Sequence, residues 1–310
     1  MKKDKPLISV IIPTYNRAGI LPRAVNSVLK QSYGNLELII VDDASGDDTD
    51  NVVSCFNDKR IRYIRHEKNK GGSAARNTGI TVSGGDFIGF LDDDDEWMPD
   101  KLEKQMAKFM IVKKEVGLIY CGTRILEGNR VLVTYYPVEK GDLRTRLLLG
   151  TTIGGTDPAL VKKECFDEVG LFDENLKSCQ DWDMWKRISE KYEFDFVPEI
   201  LVNLHSHKHR ISTDLASMIP GRTAMIRKHE EELRKYPDIY VVHLKRLGKL
   251  HALNGTWKES LSWFRKAVAV NRFELFNIFM WIVLEYPRVR FLSRLKNFKK
   301  YRIKQKIGLV

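Results

Sequence analysis

An α/β fold with a helical C-terminal extension is predicted for this 310-residue sequence by three observations. Apolar, β-branched runs alternate with stretches whose apolar residues recur at helical spacing. Three of those runs end directly in polar segments of unusual composition, PTYNR at 13–17, DDASGDDT at 42–49 and DDDDEW at 92–97. Beyond about residue 215 the pattern becomes almost wholly helical.

The first strand is read at 7–12, where LISVII is apolar and β-branched. Ile20, Leu21, Ala24, Val25, Val28 and Leu29 then repeat at the spacing that gathers them on one helical face. A second strand at 36–41 completes a strand, helix, strand unit, and a third at 61–65 leads to Gly71 and Gly72. The helix expected at 73–82 begins near Ser73, a residue type that satisfies free N–H groups at a helix start. A fourth strand at 86–91 runs straight into the acidic cluster. Such alternation implies a parallel sheet, and these sheets collect ligands at the carboxyl ends of their strands, here after Ile12, Val41 and Leu91.

Between 117 and 212 the pattern is mixed, with strands at 117–120 and 131–135 and a helix at 182–191. The chain is therefore divided into an α/β domain at 1–215 and a helical region at 216–310. Within the latter, Leu247, Gly248, Gly255, Trp257, Phe264 and Ala267 have a spacing similar to one tetratricopeptide repeat, with a generic helical hairpin as the other reading.

Composition narrows the class. A 43% hydrophobic content supports a packed core. No stretch reaches the ~20 apolar residues of a membrane span; the nearest, at 273–284, carries Glu274 and Asn277. Pro13 breaks the N-terminal apolar run before it reaches signal-peptide length. Cys55, Cys121, Cys165 and Cys179 form no CxxC pair, which fits reduced thiols of a cytoplasmic protein. The net charge is +11, and 285–310 holds nine Lys or Arg against one Glu. This basic, amphipathic tail is a candidate for contact with an anionic membrane surface, a solvated helix face being the alternative. Neither zinc-finger spacing nor an RNP-like strand accompanies it, so nucleic acid is not an expected partner.

The acidic cluster carries the strongest chemical signal. Asp92, Asp93, Asp94 and Asp95 repel one another at the end of an apolar strand and require a compensating cation. Alternate carboxylates at Asp92 and Asp94 suit a hard divalent ion, Mn²⁺ or Mg²⁺, whose shell substrate phosphates commonly complete. Backbone N–H groups of Lys70, Gly71 and Gly72, with Arg76 one turn on, offer a phosphate cradle; a plain turn is the alternative.

A hydroxyl nucleophile also needs a base. The candidate is Asp181 in SCQDWDMWKRI, where the helix dipole favours the ionised form and Trp182 or Trp185 is available to stack on a sugar ring. Asp183 is its close competitor. His205, His207 and His209 project to one face of an extended segment. With no further ligands nearby for a zinc site, His207 alone is read as a contact to the metal or to a diphosphate.

These segments resemble the family 2 glycosyltransferases, inverting enzymes of the GT-A fold. The similarity covers about 6–212 through ISVIIPTYNRAGILPRAVNSVLKQSYGNLELIIVDDASGDDT, NKGGSAARNTGI, GDFIGFLDDDDEWMPDKL and QDWDMWKRI. It implies a nucleotide-binding mixed sheet flanked by helices, a UDP-sugar donor and a divalent metal. It also implies attack by an acceptor hydroxyl from the face opposite the leaving diphosphate. By position, Pro13, Thr14 and Tyr15 resemble the wall that holds base and ribose, and Asp43 the carboxylate that reads a uracil edge. Arg17, Gly72, Arg76, Asp92 and Asp93 join them as donor-contacting positions. Asp94 resembles the metal-binding carboxylate of the DxD motif with Asp92 its partner, Asp181 the catalytic base, and His207 the histidine that precedes a closing serine, here Ser212. Gln180 departs from the pattern, since Glu usually precedes the base.

The resemblance thus implies a metal-dependent hexosyltransferase working in cell-surface polysaccharide or other glycan assembly. Its acceptor would be a glycan, a lipid-linked group or a protein, and its place cytoplasmic or peripheral at the inner face of the cell membrane. The alternative is a catalytically silent scaffold or binding module using the helical tail, against which the joint presence of Asp43, Asp92, Asp94 and Asp181 argues.

Overall fold

The computed structural model of the protein describes residues 5–206 and 215–280, and the chain divides into two compact units. One is 1–175 with 180–208; the other is 209–310 with Leu176–Cys179. The division thus falls a little before residue 215, and a short piece ahead of Gln180 belongs with the helical unit.

The first unit opens with β1 (Ile8–Thr14), α1 (Leu21–Leu29), β2 (Leu36–Asp42), α2 (Thr49–Ser54), β3 (Ile61–Arg65), α3 (Gly72–Val82) and β4 (Phe87–Phe90). It continues through β5 (Glu96–Trp97), α4 (Lys101–Phe109), β6 (Val116–Glu127), β7 (Arg130–Tyr135), α5 (Arg144–Leu149), β8 (Leu160–Lys162), α6 (Lys163–Val169), α7 (Gln180–Ser189) and β9 (Glu193–His205). All nine strands form one sheet, ordered β3-β2-β1-β4-β8-β6-β9-β5, with β7 on β6. β1 to β4 pair in parallel, as the alternation implies, but the sheet as a whole is mixed. β8 lies antiparallel between β4 and β6, because the loop after α5 enters it from the edge where β4 ends.

Period-two side-chain alternation assigns each strand residue to one of two cores. Ile8, Val10, Ile12, Leu38 and Ile40 pack with Leu21, Val25 and Val28 of α1 and Leu102 and Met106 of α4. Ile11, Ile39 and Val41 face the other way, onto Ala75 and Ile80 of α3 and Met184, Trp185 and Ile188 of α7. The result is a sheet covered by helices on both faces. α3 approaches β1 so closely that a Cβ at Gly79 would stand 2.5 Å from Ile11. That contact seats the C-terminal half of α3 on β1, while Gly71 N–H, just ahead of the helix, donates to Asp43 at the carboxyl edge.

The second unit contains α8 (Leu215–Lys228), α9 (Glu230–Leu233), α10 (Pro237–Leu253), α11 (Trp257–Val270) and α12 (Glu274–Met280). α10 and α11 pack as a hairpin in which Gly248 admits the Phe264 ring, a Cβ there lying 2.6 Å from it. Among the described residues, no helix is long and apolar enough to cross a membrane. The basic tail at 285–310 lies outside the described residues.

Candidate active site

The register sets the site edge. Thr14 pairs with Asp42, and Ile11 with Phe90, so the segments after β1, β2 and β4 emerge side by side. The first two are stitched together: Asn16 N–H donates to Ser45 Oγ (2.9 Å), Asn16 Oδ1 accepts from Gly46 N–H (2.7 Å), and Ala18 N–H donates to Asp47 (2.9 Å). Asn16 takes a left-handed φ of 53° to do this. Pro13 lies half-buried in register with Val41, whereas Tyr15 projects into solvent, 46% exposed.

The aspartates after β4 fold into a tight turn, Asp95 N–H donating to Asp92 C=O at 3.0 Å. The turn reorders them. Asp93 is directed away from its neighbours, accepting from Thr14 Oγ1 (2.7 Å) and Arg17 Nη1 (3.2 Å). Carboxylate oxygens of Asp92, Asp94 and Asp95 converge within 4.8 Å of one another, a group that all-oxygen divalent ions favour. Asp95 is held by His205 N–H at 2.7 Å, so the end of β9 closes onto the cluster.

Fixed cations already meet part of this charge, which corrects the expectation that only a bound ion makes the cluster tolerable. Arg17 Nη1 lies 2.7 Å from Asp94 Oδ2, Arg76 donates to Asp92 Oδ1, and Arg23 donates to the Asp94 carbonyl. Asp93 is nevertheless pushed up to about 7, chiefly by burial, with Arg17 and Thr14 opposing and the Asp94 and Asp92 charges adding.

Asp157 completes the floor. Its Oδ1 accepts the Asp92 N–H at 2.6 Å, its carbonyl accepts from Trp97 Nε1 at 3.0 Å, and burial followed by the Asp92 charge raises its pKa.

Arg76 links the cluster to Asp181. Burial raises the proton affinity of Asp181, the Trp182 backbone N–H and then the Arg76 charge oppose it, the Asp92 charge adds to it, and the net shift is upward. Asp181 lies in the first turn of α7, after Cys179 in left-handed conformation. Its competitor Asp183 is fully buried and tied to Arg187 at 2.9 Å. The tryptophans do not stack outward as expected: Trp182 donates to Leu147 C=O (2.5 Å) and Trp185 to Gly155 C=O (3.3 Å), both inside the core.

The glycine turn also differs from expectation. Gly71 has a left-handed φ of 91°, and α3 begins at Gly72, beside Arg76. Rather than standing free for phosphate, the Lys70 and Gly71 N–H groups donate to the Asp43 carboxylate at 2.8 and 2.7 Å. His66 holds the same carboxylate at 2.7 Å. Asp42 is occupied by Tyr63 Oη (2.6 Å) and Ser45 N–H (2.8 Å).

Thr14, Arg17, Arg76, Asp92, Asp93 and Asp94 thus meet directly, and Asp181 joins them electrostatically through Arg76. His207 lies outside the described residues. Sequence reasoning placed Asp95 in the acidic run without giving it a ligand role, and missed Asp157, Arg23 and His66. The rule used for β1, β2 and β4 finds the last of these when applied to the end of β3.

Comparison with known proteins gives a consistent picture. A family model described as Glycosyl transferase family 2 matches residues 9–161. The chain is 32% identical over 280 residues to the putative colanic acid biosynthesis glycosyl transferase WcaA of Escherichia coli (strain K12), covering 84% of this chain and 94% of that protein. Among solved structures, S. aureus TarS 1-349 in complex with UDP-GlcNAc superposes with a TM-score of 0.59 at 16% identity, over 86% of this chain and 91% of that one. Mannosyltransferase PcManGT from Pyrobaculum calidifontis, in complex with GDP-Man and Mn²⁺, gives 0.57 at 19% identity, over 92% and 83%. The fold is that of these GT-A proteins.

Proposed function

The chain belongs to glycosyl transferase family 2, and from that premise we propose that it is an inverting hexosyltransferase using a nucleotide-diphosphate donor, a UDP-sugar. Its acceptor is a hydroxyl of a glycan, lipid-linked group or protein in the assembly of a cell-surface polysaccharide or related glycan. The observation that carries this reading is the convergence of Asp92, Asp94 and Asp95 at the carboxyl edge, with Asp181 across Arg76. The likeness to WcaA supports the polysaccharide class.

An all-carboxylate donor set fits Mn²⁺ or Mg²⁺, which Asp92 and Asp94 would hold with Asp95 beside them and His207 as a further candidate. Such an ion, when bound, neutralises charge on the departing diphosphate. Pro13, Thr14 and Tyr15 flank the base and ribose, Asp43 accepts from the base, and Arg17, Gly72, Arg76 and Asp93 surround the ribose and diphosphate. Asp181 takes the acceptor hydroxyl proton as the new C–O bond forms at the anomeric carbon and the bond to diphosphate breaks on the opposite face. Burial suits Asp181 to this, because a raised proton affinity makes a carboxylate a better base near neutral pH.

Screening nucleotide sugars for Mn²⁺-dependent hydrolysis and thermal stabilisation by the purified protein tests the reading. A protein that neither binds nor turns over any of them has another function. The basic segment 288–310 is proposed to contact anionic membrane at the cytoplasmic face. Its deletion is expected to reduce sedimentation with anionic vesicles more than transfer to a soluble acceptor.

A further inference from the structure

Asp43 is nearly saturated by the protein itself. Oδ1 accepts from His66 Nδ1 (2.7 Å) and Lys70 N–H (2.8 Å), and Oδ2 accepts from Gly71 N–H (2.7 Å). An ionised carboxylate has about four acceptor positions, two on each oxygen. One therefore remains, on Oδ2. The backbone donors cannot be altered by substitution, but the third donor is a side chain, and its orientation is fixed at both ends. His66 Nε2 meets Thr78 Oγ1 of α3 at 2.9 Å, and His66 N–H donates to Asp42 C=O at 2.8 Å. A carboxylate oxygen only accepts, so Nδ1 carries the proton given to Asp43, and the Thr78 hydroxyl, able to donate or accept, meets Nε2. Both the His66 and Asp43 side chains are 5% exposed, so water does not compete for these bonds.

A carboxylate with one vacancy discriminates between bases. Guanine presents two parallel donors, N1–H and N2–H, which pair with both oxygens of a carboxylate at once. Uracil presents one imide donor, N3–H. The fold does not make this choice, since proteins sharing it have been solved with UDP-GlcNAc and with GDP-Man.

We propose that His66 is a specificity-determining positioning residue: by filling Oδ1 of Asp43 it leaves that carboxylate room for a single donor, selecting a uracil-type base over guanine. The inference rests on the nucleotide-sugar reading above and assigns the side chain that sets its preference for uracil.

Calorimetric titration of UDP and GDP in the presence of Mn²⁺, on the wild-type chain and His66→Ala, His66→Asn and Thr78→Val, tests it. Wild type is expected to favour UDP by about tenfold or more, the scale of one hydrogen bond to a charged group. His66→Ala, which returns a lone pair to Oδ1, should lose most of that ratio. His66→Asn, which keeps an N–H donor, should recover part of it, and Thr78→Val should show a partial loss. A general loss of structure would lower both affinities together and leave the ratio intact. Equal wild-type affinities, or an unchanged ratio in folded His66→Ala, overturn the proposal. If His66→Ala does not fold, unchanged ratios in both other variants overturn it equally. Failure of the wild-type chain to bind either nucleotide is a different outcome, because it removes the nucleotide-sugar reading itself.

Discussion

Arg17 Nη1 stands 2.7 Å from Oδ2 of Asp94, so one carboxylate of the group proposed to hold a divalent ion is already paired with a fixed cation. An incoming ion must compete with the guanidinium. Arg17 is half-buried, and such a charge-assisted pair is worth on the order of 1 kcal/mol. Arg17→Gln is therefore expected to tighten Mn²⁺ binding in the absence of nucleotide by roughly fivefold. An electron paramagnetic resonance titration reads this directly, and unchanged affinity would remove Asp94 from the metal-binding set.

Asp181→Asn keeps shape and removes the basic lone pair. Turnover is expected to fall by about 10²–10⁴-fold, the usual contribution of a general base, with UDP affinity nearly unchanged. A collapse of donor affinity in its place would assign Asp181 to the donor side.

Asp157 separates structure from charge. In Asp157→Asn the amide oxygen can still accept the Asp92 N–H, whereas Asp157→Ala leaves that N–H without its partner at a cost of about 1–3 kcal/mol. Thermal melts should show a clear loss for the alanine variant and a small one for asparagine. Equal losses would mean that the hydrogen bond does not hold the acidic turn.

Lys101 supplies a pH-dependent prediction away from the chemistry. Its ammonium is fully buried over the Trp97 ring, 3.8 Å from the centroid, with Gln105 Oε1 at 2.8 Å. Burial lowers its pKa to about 8 from 10.5. Between those values the unfolded chain binds the extra proton and the folded one does not, so stability rises with pH across this window. Wild type should gain melting temperature relative to Lys101→Met as pH goes from 8 toward 10.5, and parallel profiles would show the ammonium to be better compensated than its surroundings indicate.

The alternating half of the fold was legible because apolar, β-branched runs and amphipathic helices are local patterns, and β1, β2 and β4 carry such runs on strands buried on both faces. β8 was not: three residues, Leu160–Lys162, are too few to show a period, and its antiparallel insertion is decided by the loop before it. Within the acidic run, alternate-carboxylate logic assumes an extended chain, which would pair Asp92 with Asp94 alone. The turn closed by Asp95 N–H brings in Asp95 and sends Asp93 to Thr14. Asp157 escaped notice because it reaches the cluster from 65 residues away, through a bond made to backbone rather than to a side chain. Trp182 and Trp185 were misjudged because aromatic content alone does not reveal whether an indole N–H finds a carbonyl in the core.

The reversed direction of β8 bears on how such enzymes can be recombined. The strand welds β4, whose end bears the acidic turn, to β6, which leads into the other half of the sheet, and its approach loop delivers Asp157 under Asp92. A chimera that exchanges the distal half for that of a relative and is cut between α5 and Asp157 loses this acceptor of the Asp92 amide. Crossovers placed after Lys162, where α6 begins, keep that support with the half it serves and leave the transplanted half to bring its own counterpart of Asp181.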